Sequence, residues 1–337
     1  MRFLVTGGAG FIGSHIVERL LKEGHFVRVL DNFSSGKHEN IESVLKEVSA
    51  HSISPKFDLI EGDIRDKNTC DKACQEIDYI LHQAALRSVP KSIADPESYN
   101  NVNINGVLCM LQAAVKNKVK RFVFASSSSI YGDTTKFPQQ ESDLPLLISP
   151  YALSKLAGEY YCRIFSRVYG LETACLRYFN VFGPRQALDD EYAVVIPKFI
   201  HCILHDEQPP IFGTGLQSRD FTYIDNVVEA NILAAGEAPG LQIGRGAFAA
   251  TKQGGTSSHE IFNVANGKDN TVLGLVDLLN KIIGKNIQPK LLPVRTGDVF
   301  RTLADINKLK EKLGFKPKVS FEQGIKETVE YFREKAS

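Results

Sequence analysis

Tyr151 and Lys155 are residues whose types and spacing could carry out chemistry. They are four residues apart in a helical pattern, so both lie on one face, and Pro150 suits the first turn of that helix. A free tyrosine has a pKa of about 10 and is a poor base at neutral pH, whereas the ammonium group of Lys155 would lower that pKa. A surface tyrosine beside a solvated lysine is the ordinary alternative, because this pair is common by chance.

Four consecutive serines, Ser126 to Ser129, follow a predicted strand. Polar side chains at the carboxyl end of a parallel strand face the crevice in which ligands bind, although a plain polar turn would explain any one of these serines. A serine hydroxyl could hold a substrate oxygen while Tyr151 removes its proton and a hydride leaves for a nicotinamide cofactor. The positive charge of that cofactor would lower the tyrosine pKa further. The combination indicates alcohol–carbonyl redox chemistry.

A glycine-rich turn follows the first predicted strand and opens the first predicted helix. It fits GxGxxG through Gly8, Gly10 and Gly13, and also GxxGxxG through Gly7, Gly10 and Gly13. Such a turn lets the backbone approach a pyrophosphate at the helix N-terminus. Asp31 follows about 20 residues later, where a carboxylate binds ribose hydroxyls and repels a 2′-phosphate. We therefore predict NAD rather than NADP, and a glycine turn without a nucleotide is the alternative.

The elements that must position these residues alternate between strand and helix patterns. This alternation predicts an α/β fold with a doubly wound parallel sheet covered on both faces. The predicted strands are Arg2–Thr6, Phe26–Leu30, Phe57–Ile60, Tyr79–His82, Arg121–Ala125 and Thr173–Arg177, and the predicted helices are Ser14–Glu23, Tyr99–Val115 and Tyr151–Tyr169.

The pattern loosens after Asn180, which predicts a dinucleotide-binding domain at 1–180 and a smaller α/β substrate domain at 181–337. Residues of about 219–235 are expected to pack back on the first domain. The stretch Gly236–Ser258 holds six glycines and reads as a surface loop or insertion. Helices are predicted in the second domain at Val195–His205, Asn226–Ala235, Val272–Ile283 and Phe321–Arg333, and a strand at Glu260–Val264.

The composition excludes several classes of protein. The 337 residues contain 40 Lys and Arg against 39 Asp and Glu, a formal net charge of +1, which argues against a general nucleic-acid or anionic-membrane binder. No apolar run approaches the roughly 20 residues that span a bilayer, and Phe3, Leu4 and Val5 belong to a core strand rather than to a removable leader. The six cysteines form no CxxC pair, so we expect reduced thiols, no metal site and a cytoplasmic location.

Three motifs resemble the extended short-chain dehydrogenase/reductase superfamily, which has a Rossmann fold. They are Thr6-Gly7-Gly8-Ala9-Gly10-Phe11-Ile12-Gly13, the Tyr151/Lys155 pair and Leu176-Arg177-Tyr178-Phe179-Asn180. Other stretches are similar, more narrowly, to bacterial UDP-N-acetylglucosamine 4-epimerases. They are His82–Leu86, Ser88–Ser92, Asn180–Gln186, Val195–Lys198, Ser218–Phe221 and Gly297–Val299.

The resemblance implies a role for each matching position. Ser127 matches the catalytic serine, Tyr151 the base and Lys155 its activator. The implied NAD site comprises Gly7, Gly10, Phe11, Ile12, Gly13, Asp31, Asn32, Ser35, Gly36, Asp63, Ile64, Gln83, Ala84, Ala85, Asn103, Tyr151, Lys155 and Phe179. The implied UDP-sugar site comprises Ser88, Ser127, Ser128, Asn180, Ala193, Val194, Phe212, Arg219, Arg295, Asp298 and Thr302.

The resemblance also implies a homodimer, built from helices near Asn105–Asn117 and Tyr151–Tyr169, and a role in polysaccharide biosynthesis. The implied reaction inverts carbon 4 of a UDP-sugar through a transient 4-keto sugar, with NAD as a bound group and no net redox change. UDP-sugar is the expected partner, and neither nucleic acid nor membrane is expected.

Four residues bear on the choice of reaction or substrate within the resembling family. Ser128 and Ser129 stand where related dehydratases carry an acidic residue, which disfavours elimination. Thr302 stands where simple UDP-galactose epimerases carry a bulky tyrosine, so an N-acetyl group should fit, and Arg87 replaces a glycine of close relatives. We expect epimerisation of UDP-N-acetylglucosamine and UDP-N-acetylgalactosamine. UDP-glucose or UDP-glucuronate is the alternative substrate, and a non-catalytic NAD-binding sensor is the alternative from another class.

Overall fold

The computed structural model describes residues 1–51, 53–187, 195–236, 258–294 and 298–336 of the chain. The strands among these residues are β1 (Arg2–Thr6), β2 (Phe26–Asp31), β3 (Lys56–Glu61), β4 (Tyr79–His82), β5 (Arg121–Ser127), β6 (Glu172–Tyr178), β7 (Val181–Phe182), β8 (Pro210–Phe212), β9 (Ser218–Arg219), β10 (Thr222–Tyr223), β11 (His259–Val264), β12 (Asn270–Thr271) and β13 (Lys290–Leu292).

The helices are α1 (Phe11–Lys22), α2 (His38–Ala50), α3 (Lys67–Cys74), α4 (Val89–Ala94), α5 (Pro96–Asn100), α6 (Gly106–Lys116), α7 (Pro150–Tyr169), α8 (Val195–Leu204), α9 (Ile224–Ala235), α10 (Val272–Ile283), α11 (Asn307–Leu313) and α12 (Phe321–Ala336). Within the described ranges, no helix is long and apolar enough to cross a membrane.

Seven of the strands form one parallel sheet in the order β11-β6-β5-β4-β1-β2-β3. Side chains of a buried strand point alternately to its two faces, and Phe3 and Val5 of β1 accordingly enter one core cluster while Leu4 enters the other. Helices cover both faces, so the predicted doubly wound α/β fold is confirmed. The strand order reverses between β1 and β4, which is where open α/β sheets bind ligands.

Most predicted elements match the observed ones to within one to three residues. The predicted helix Tyr99–Val115 is helical throughout, but a π-helical turn at Asn101–Asn105, which the pattern did not predict, stands between α5 and α6. Such turns insert a residue into the helix and are frequent at functional sites.

The C-terminal half contributes both to the main sheet and to small separate pieces. Strand β11 extends the sheet beside β6, and α9 packs against α1 and against β4, β5 and β6. The remaining strands pair as β10 with β7, β12 with β9 and β13 with β8, each over only two or three residues. The domain division at residue 180 therefore stays a prediction, and residues 237–257 of the predicted loop lie outside the described residues.

Candidate active site

A cleft of about 1650 Å³ runs along the carboxyl ends of the sheet strands. One wall carries the glycine-rich turn, the serines after β5 and the start of α7. The opposite wall carries residues of β8 and β9 and of the segment from residue 298 to residue 302. The cleft therefore brings together residues that are almost 300 positions apart in the sequence.

The glycine-rich turn leaves no room for side chains. Gly7 has φ +68°, and a Cβ added to it would lie 2.8 Å from the backbone nitrogen of Ala84. A Cβ on Gly13 would lie 2.1 Å from the carbonyl oxygen of Gly7. Gly10 is the N-cap of α1 and has no side chain that could cap the helix. The first backbone N–H groups of α1, which lines the cleft here, are therefore not capped by a side chain of Gly10 and can bind an anion.

Asp31 lies at the end of β2, where its carboxylate is held by the turn on either side. It accepts hydrogen bonds from the backbone N–H groups of Ala9 and Phe33, at 2.9 Å each, and burial raises its pKa. A Cβ on Gly36 would lie 2.9 Å from both carboxylate oxygens, so the glycine leaves them accessible. The two oxygens retain lone pairs that ribose hydroxyls could use.

Asp63 lines the same end of the cleft and is oriented by its neighbours. It accepts bonds from the Arg65 side chain at 2.8 and 2.9 Å, from the Arg65 backbone N–H at 2.8 Å and from Asn32 at 3.0 Å. The hydrogen bonds from the Arg65 side chain hold the pKa of Asp63 down to about 2. A fixed carboxylate acceptor therefore stands beside Asn32 in the cleft.

Ser127, Tyr151 and Lys155 meet in the cleft as their spacing predicted. The side chain of Ser127 opposes the rise in the pKa of Tyr151 and accepts a hydrogen bond from the backbone N–H of Ser129 at 3.1 Å. Lys155 is 4% exposed, donates a hydrogen bond to the carbonyl oxygen of Ala125 at 2.8 Å, and its Nζ lies 5.9 Å from the centre of the Tyr151 ring. One end of β5 thus anchors both the serine and the lysine.

The pKa shifts of Tyr151 and Lys155 in the protein without a cofactor differ from the prediction. Burial raises the pKa of Tyr151, while the hydrogen bond with Ser127 and the charge of Arg87 oppose that rise. Burial also lowers the pKa of Lys155, to about 8. The predicted lowering of the tyrosine pKa needed a positively charged nicotinamide as well as Lys155, and the protein groups alone do not produce it.

The side chains of the four serines make different contacts, because the backbone turns after β5. The hydroxyl of Ser126 is engaged by Glu159, to which it donates a hydrogen bond at 2.6 Å. Glu159 also pairs with Arg177, at 2.8 and 2.9 Å, and both side chains are 3% exposed. Ser128 and Ser129 line the cleft in a 3₁₀ turn. A buried ion pair therefore fixes the residue next to Ser127, and the sequence pattern did not reveal it.

Asn103 acts on the cleft indirectly. The π-helical turn aims its side chain at the loop after β4, where it accepts from the N–H of Leu86 at 2.8 Å and donates to the carbonyl oxygen of Leu86 at 2.9 Å. A third bond joins Asn103 to Ser154 at 3.0 Å. Tyr99 holds the same loop by donating to the carbonyl oxygen of Arg87 at 2.6 Å. Asn103 therefore supports the loop that carries Arg87 and Ser88, rather than lining the cleft.

On the opposite wall, the buried carboxylate of Asp220 joins three chain segments. It accepts hydrogen bonds from the N–H groups of Asn266 at 2.9 Å, Gly267 at 3.0 Å and Ala304 at 3.2 Å, and burial raises its pKa to about 7. Its own N–H donates to the hydroxyl of Thr302 at 3.2 Å. Arg219, next to Asp220, and Thr302, two residues before Ala304, both line the cleft. The carboxylate of Asp220 therefore helps to set the positions of these two cleft residues.

Thr302 and Arg219 carry the polar groups of this wall. Thr302 is 6% exposed and donates a hydrogen bond to Asn180 at 3.0 Å. Arg219 donates to the carbonyl oxygens of Ser218 at 2.9 Å and Phe300 at 3.2 Å, and it lies 3.7 Å from Asp298. Burial lowers the pKa of Arg219, while Asp298 opposes that effect.

Most of the predicted site residues line the cleft. These are Gly7, Gly10, Phe11, Ile12, Gly13, Asp31, Asn32, Ser35, Gly36, Asp63, Ile64, Gln83, Ala84, Ala85, Ser88, Ser127, Ser128, Tyr151, Lys155, Asn180, Phe212, Arg219, Asp298 and Thr302. Phe179 does not line it, because its ring packs with Tyr131 in a small buried cluster. Ala193, Val194 and Arg295 lie outside the described residues.

The cleft also includes residues that the sequence reasoning missed. Tyr178 lines it, and its hydroxyl is held by Gln83 and by Asn231 of α9, at 3.1 Å each. Tyr331 and Lys335 of α12 line the cleft from the C-terminal end of the chain. Only Tyr178 had a signal, its place in the quoted motif, because nothing in the sequence links α12 to the first strand.

Comparison with known proteins places this cleft in a family. Residues 3–244 match the NAD dependent epimerase/dehydratase family. A putative UDP-glucose 4-epimerase of Methanocaldococcus jannaschii is 36% identical over 332 residues, covering 98% of each chain. A UDP-glucose 4-epimerase of Mycolicibacterium smegmatis is 36% identical over 339 residues, covering 100% of each chain.

Solved structures superpose along the whole chain. The UDP-N-acetylglucosamine 4-epimerase of Methanobrevibacter ruminantium, in complex with UDP-N-acetylmuramic acid, is 40% identical with a TM-score of 0.87, covering 99% of this chain and 98% of that one. The UDP-glucose 4-epimerase of Thermotoga maritima, with UDP-glucose, is 39% identical with a TM-score of 0.87, covering 100% of both. The UDP-glucuronic acid 4-epimerase of Bacillus cereus, with UDP-glucuronic acid and NAD, is 31% identical with a TM-score of 0.84, covering 99% of both.

The chain belongs to the NAD dependent epimerase/dehydratase family. The predicted family, the isomerase class and the NAD cofactor are thereby confirmed. The residues present fit this cofactor, because Gly7 and Gly13 admit no side chain where a pyrophosphate would approach and Asp31 presents an accessible carboxylate.

Proposed function

We propose that the protein interconverts UDP-N-acetylglucosamine and UDP-N-acetylgalactosamine by inverting carbon 4 of the sugar. The coarser activity, an NAD-dependent UDP-sugar 4-epimerase, follows from the family and from relatives along the full chain. The observation that carries the proposal is that Ser127, Tyr151 and Thr302 line one cleft. A threonine there leaves more space beside the sugar than a tyrosine would, which favours a substrate with an N-acetyl group.

The residues of the chain divide the chemistry between them. NAD, when bound, supplies the acceptor and then the donor of a hydride. Tyr151 takes the proton of the sugar 4-hydroxyl and later returns it to the same oxygen, after the sugar has turned its opposite face to the hydride donor, while Ser127 holds the oxygen at carbon 4. Lys155 stays within reach of the tyrosine ring because Ala125 anchors its ammonium group. Glu159 and Arg177 keep the end of β5 in place through Ser126.

Inversion requires that the UDP part is held firmly and the sugar loosely. We assign Arg219 to the pyrophosphate, because a guanidinium suits phosphate oxygens, and Asp298 to ribose hydroxyls. Arg295 is assigned with Arg219 by the same argument. Asn180 and Phe212 complete this binding wall, together with Ala193 and Val194. The 4-keto sugar then rotates about its pyrophosphate linkage while this wall holds the nucleotide.

UDP-glucuronate is the second candidate substrate, and Arg87 is the observation that favours it. The charge of Arg87 acts on Tyr151, so the guanidinium lies on the side of the cleft where the reacting carbon would sit. A sugar carboxylate at the neighbouring carbon could pair with that cation. UDP-glucose offers neither the carboxylate nor the N-acetyl group.

A substrate panel tests the proposal directly. The purified protein, with no added NAD, is incubated separately with UDP-N-acetylglucosamine, UDP-glucose and UDP-glucuronate, and the 4-epimers are separated by chromatography. We expect conversion of the N-acetylated sugar, with kcat/KM at least tenfold above the other two. Turnover of only the other sugars would contradict the proposal, and NAD binding without any turnover would support the non-catalytic sensor.

We further propose a homodimer that assembles through α6 and α7. The face of α7 opposite Tyr151 and Lys155 exposes Leu153, Tyr160, Ile164 and Val168, each by about half or more of its surface. These residues form an apolar stripe at helical spacing, and such stripes mark protein interfaces. A cytoplasmic location is proposed because all six cysteines are free thiols.

A further inference from the structure

The chain doubles back at the end of α8, outside the cleft. His201 and Cys202 lie in the last turn of the helix, and Glu207 lies in the turn that follows. The backbone N–H of Glu207 donates to the carbonyl oxygen of Cys202 at 2.8 Å, and Asp206 adopts φ +60° to allow this reversal. The reversal brings the carboxylate of Glu207 back to the side chains of His201 and Cys202.

These three side chains offer ligand atoms in one small volume. One atom of each, a ring nitrogen of His201, the sulfur of Cys202 and a carboxylate oxygen of Glu207, lies within 4.8 Å of the other two. Four-coordinate Zn²⁺, with bonds of 2.0–2.3 Å, needs its ligand atoms about 3.5 Å apart. Side-chain rotations of roughly 1 Å would close that gap.

His205 supplies an independent observation that points to a ligand site. Its ring stacks on that of His201 at 4.3 Å, and its Nδ1 lies 2.8 Å from the carbonyl oxygen of His201. A carbonyl oxygen only accepts, so Nδ1 carries the proton and Nε2 keeps its lone pair. A ring nitrogen fixed in this way to a carbonyl oxygen is the usual arrangement of metal-binding histidines. The spacing of His201 and His205, one helical turn, is also suited to a shared ion.

We propose that His201, Cys202 and Glu207 bind a divalent transition metal ion, and that His205, which lies outside this group of close ligand atoms, moves in as the fourth ligand. The mixed set of imidazole, thiolate and carboxylate favours Zn²⁺, whereas Mg²⁺ and Ca²⁺ prefer sites made of oxygen alone. The end of α8 adds the negative pole of the helix dipole. The spacing of the cysteines predicts no metal site, because they form no CxxC pair, whereas this cluster holds one cysteine together with two histidines and a glutamate.

The proposed ion would tie the turn at residues 205–207 to the end of α8. The same helix lines the cleft with Lys198 and Phe199, one to two turns earlier. Lys285 already fastens this turn, donating to the carbonyl oxygen of Leu204 at 2.8 Å and pairing with Asp206 at 2.8 Å. Asp206 is thus engaged by Lys285, and Glu207 is the acid left to approach Cys202. Metal binding would therefore stabilise the folded chain by mass action.

Titration of the metal-stripped, full-length protein with Zn²⁺ and with Co²⁺ tests the proposal. We expect one equivalent of Zn²⁺ to bind in calorimetry and to raise the melting temperature, and Co²⁺ to give a thiolate-to-cobalt absorption band. Cys202→Ser should abolish that band. Glu207→Gln and His201→Asn, which alter surface groups that the fold does not need, should each weaken Zn²⁺ binding by about 100-fold.

A double variant, His51→Asn with Cys109→Ser, serves as the control because it removes one histidine and one cysteine elsewhere in the chain. It should bind Zn²⁺ and Co²⁺ as the wild type does. If Glu207→Gln and His201→Asn both bind Zn²⁺ with unchanged affinity, or if the double variant loses the cobalt band, the proposed site is wrong. An absence of any thiolate-to-cobalt band in the wild type would overturn it as well.

Discussion

The two walls of the cleft are built by different physical means. The wall with Ser127, Tyr151 and Lys155 rests on β5, a seven-residue strand in the middle of the sheet, and on α7, a helix of 20 residues. The wall with Arg219 and Thr302 rests on β9, a strand of two residues, and on a segment without regular structure. Backbone hydrogen bonds of long elements position the first wall.

The second wall depends on side chains instead. Asp220 joins three segments through backbone N–H groups, and Thr302 joins Asn180 to that cluster. A substitution of Ser127, Tyr151 or Lys155 should therefore change the chemistry while the fold persists, whereas breaking the buried pair of Glu159 with Arg177 behind them should cost stability. A substitution in the second wall should change stability, pH dependence or substrate choice. Substitutions in the two walls therefore test this difference.

Replacing Tyr151 by Phe should lower kcat by about 10³-fold, because it removes the proposed acid–base group, and should leave the NAD content of the purified protein unchanged. The measurement is turnover of UDP-N-acetylglucosamine, with NAD quantified after denaturation. Tyr160→Phe is the matched control, since Tyr160 lies on the same helix and is 54% exposed. Unaffected turnover in Tyr151→Phe would contradict the role of Tyr151 as the acid–base group.

Replacing Glu159 by Gln should lower the free energy of unfolding by about 3–5 kcal/mol, because Arg177 would be left buried without its charge partner. Chemical denaturation measures this change. Glu172→Gln is the control, since it breaks the more exposed pair of Arg121 with Glu172 and should cost less than about 1 kcal/mol. Equal costs for the two variants would contradict the importance of burial.

Asp220 should make stability fall as the pH rises. Its pKa is raised from 3.8 to about 7, so the folded state holds the proton more tightly than the unfolded state between these values. The free energy of unfolding should therefore decrease from about pH 4 to pH 7, by at most about 4 kcal/mol, and then level off. Asp220→Asn should remove this slope, whereas Asp298→Asn on the same wall should keep it. A slope that persists in Asp220→Asn would assign it to another group.

Replacing Thr302 by Tyr should lower kcat/KM for UDP-N-acetylglucosamine by about 100-fold while sparing UDP-glucose, because the ring fills the proposed space for the acetyl group. Thr302→Val keeps the size of the side chain and removes the hydroxyl that bonds Asn180. It should affect both substrates alike. A Tyr variant that loses both substrates equally would mean that the hydrogen bond, rather than the space, matters at this position.

The first wall could be predicted closely from the sequence. The glycine-rich turn, Asp31, Ser127, Tyr151 and Lys155 stand within or beside regular elements whose hydrophobic period reveals them, and all of them line one cleft. The π-helical turn at Asn101–Asn105 escaped this reasoning, because one inserted residue barely alters the helical pattern. The hydrogen bonds that Asp220 accepts could not be predicted from the sequence either, since the two-residue strand beside it has no detectable hydrophobic period.

The sequence by itself determined the local geometry: which segments become strands and helices, and which chemical groups stand at their ends. Hydrophobic period and glycine spacing act over a few residues, so they are readable without the fold. Only the tertiary structure decided which distant groups meet. The pairing of Glu159 with Arg177, the raised pKa of Tyr151 and the grouping of His201, Cys202 and Glu207 depend on burial and on through-space distance. Neither burial nor through-space distance can be derived from the order of residues along the chain alone.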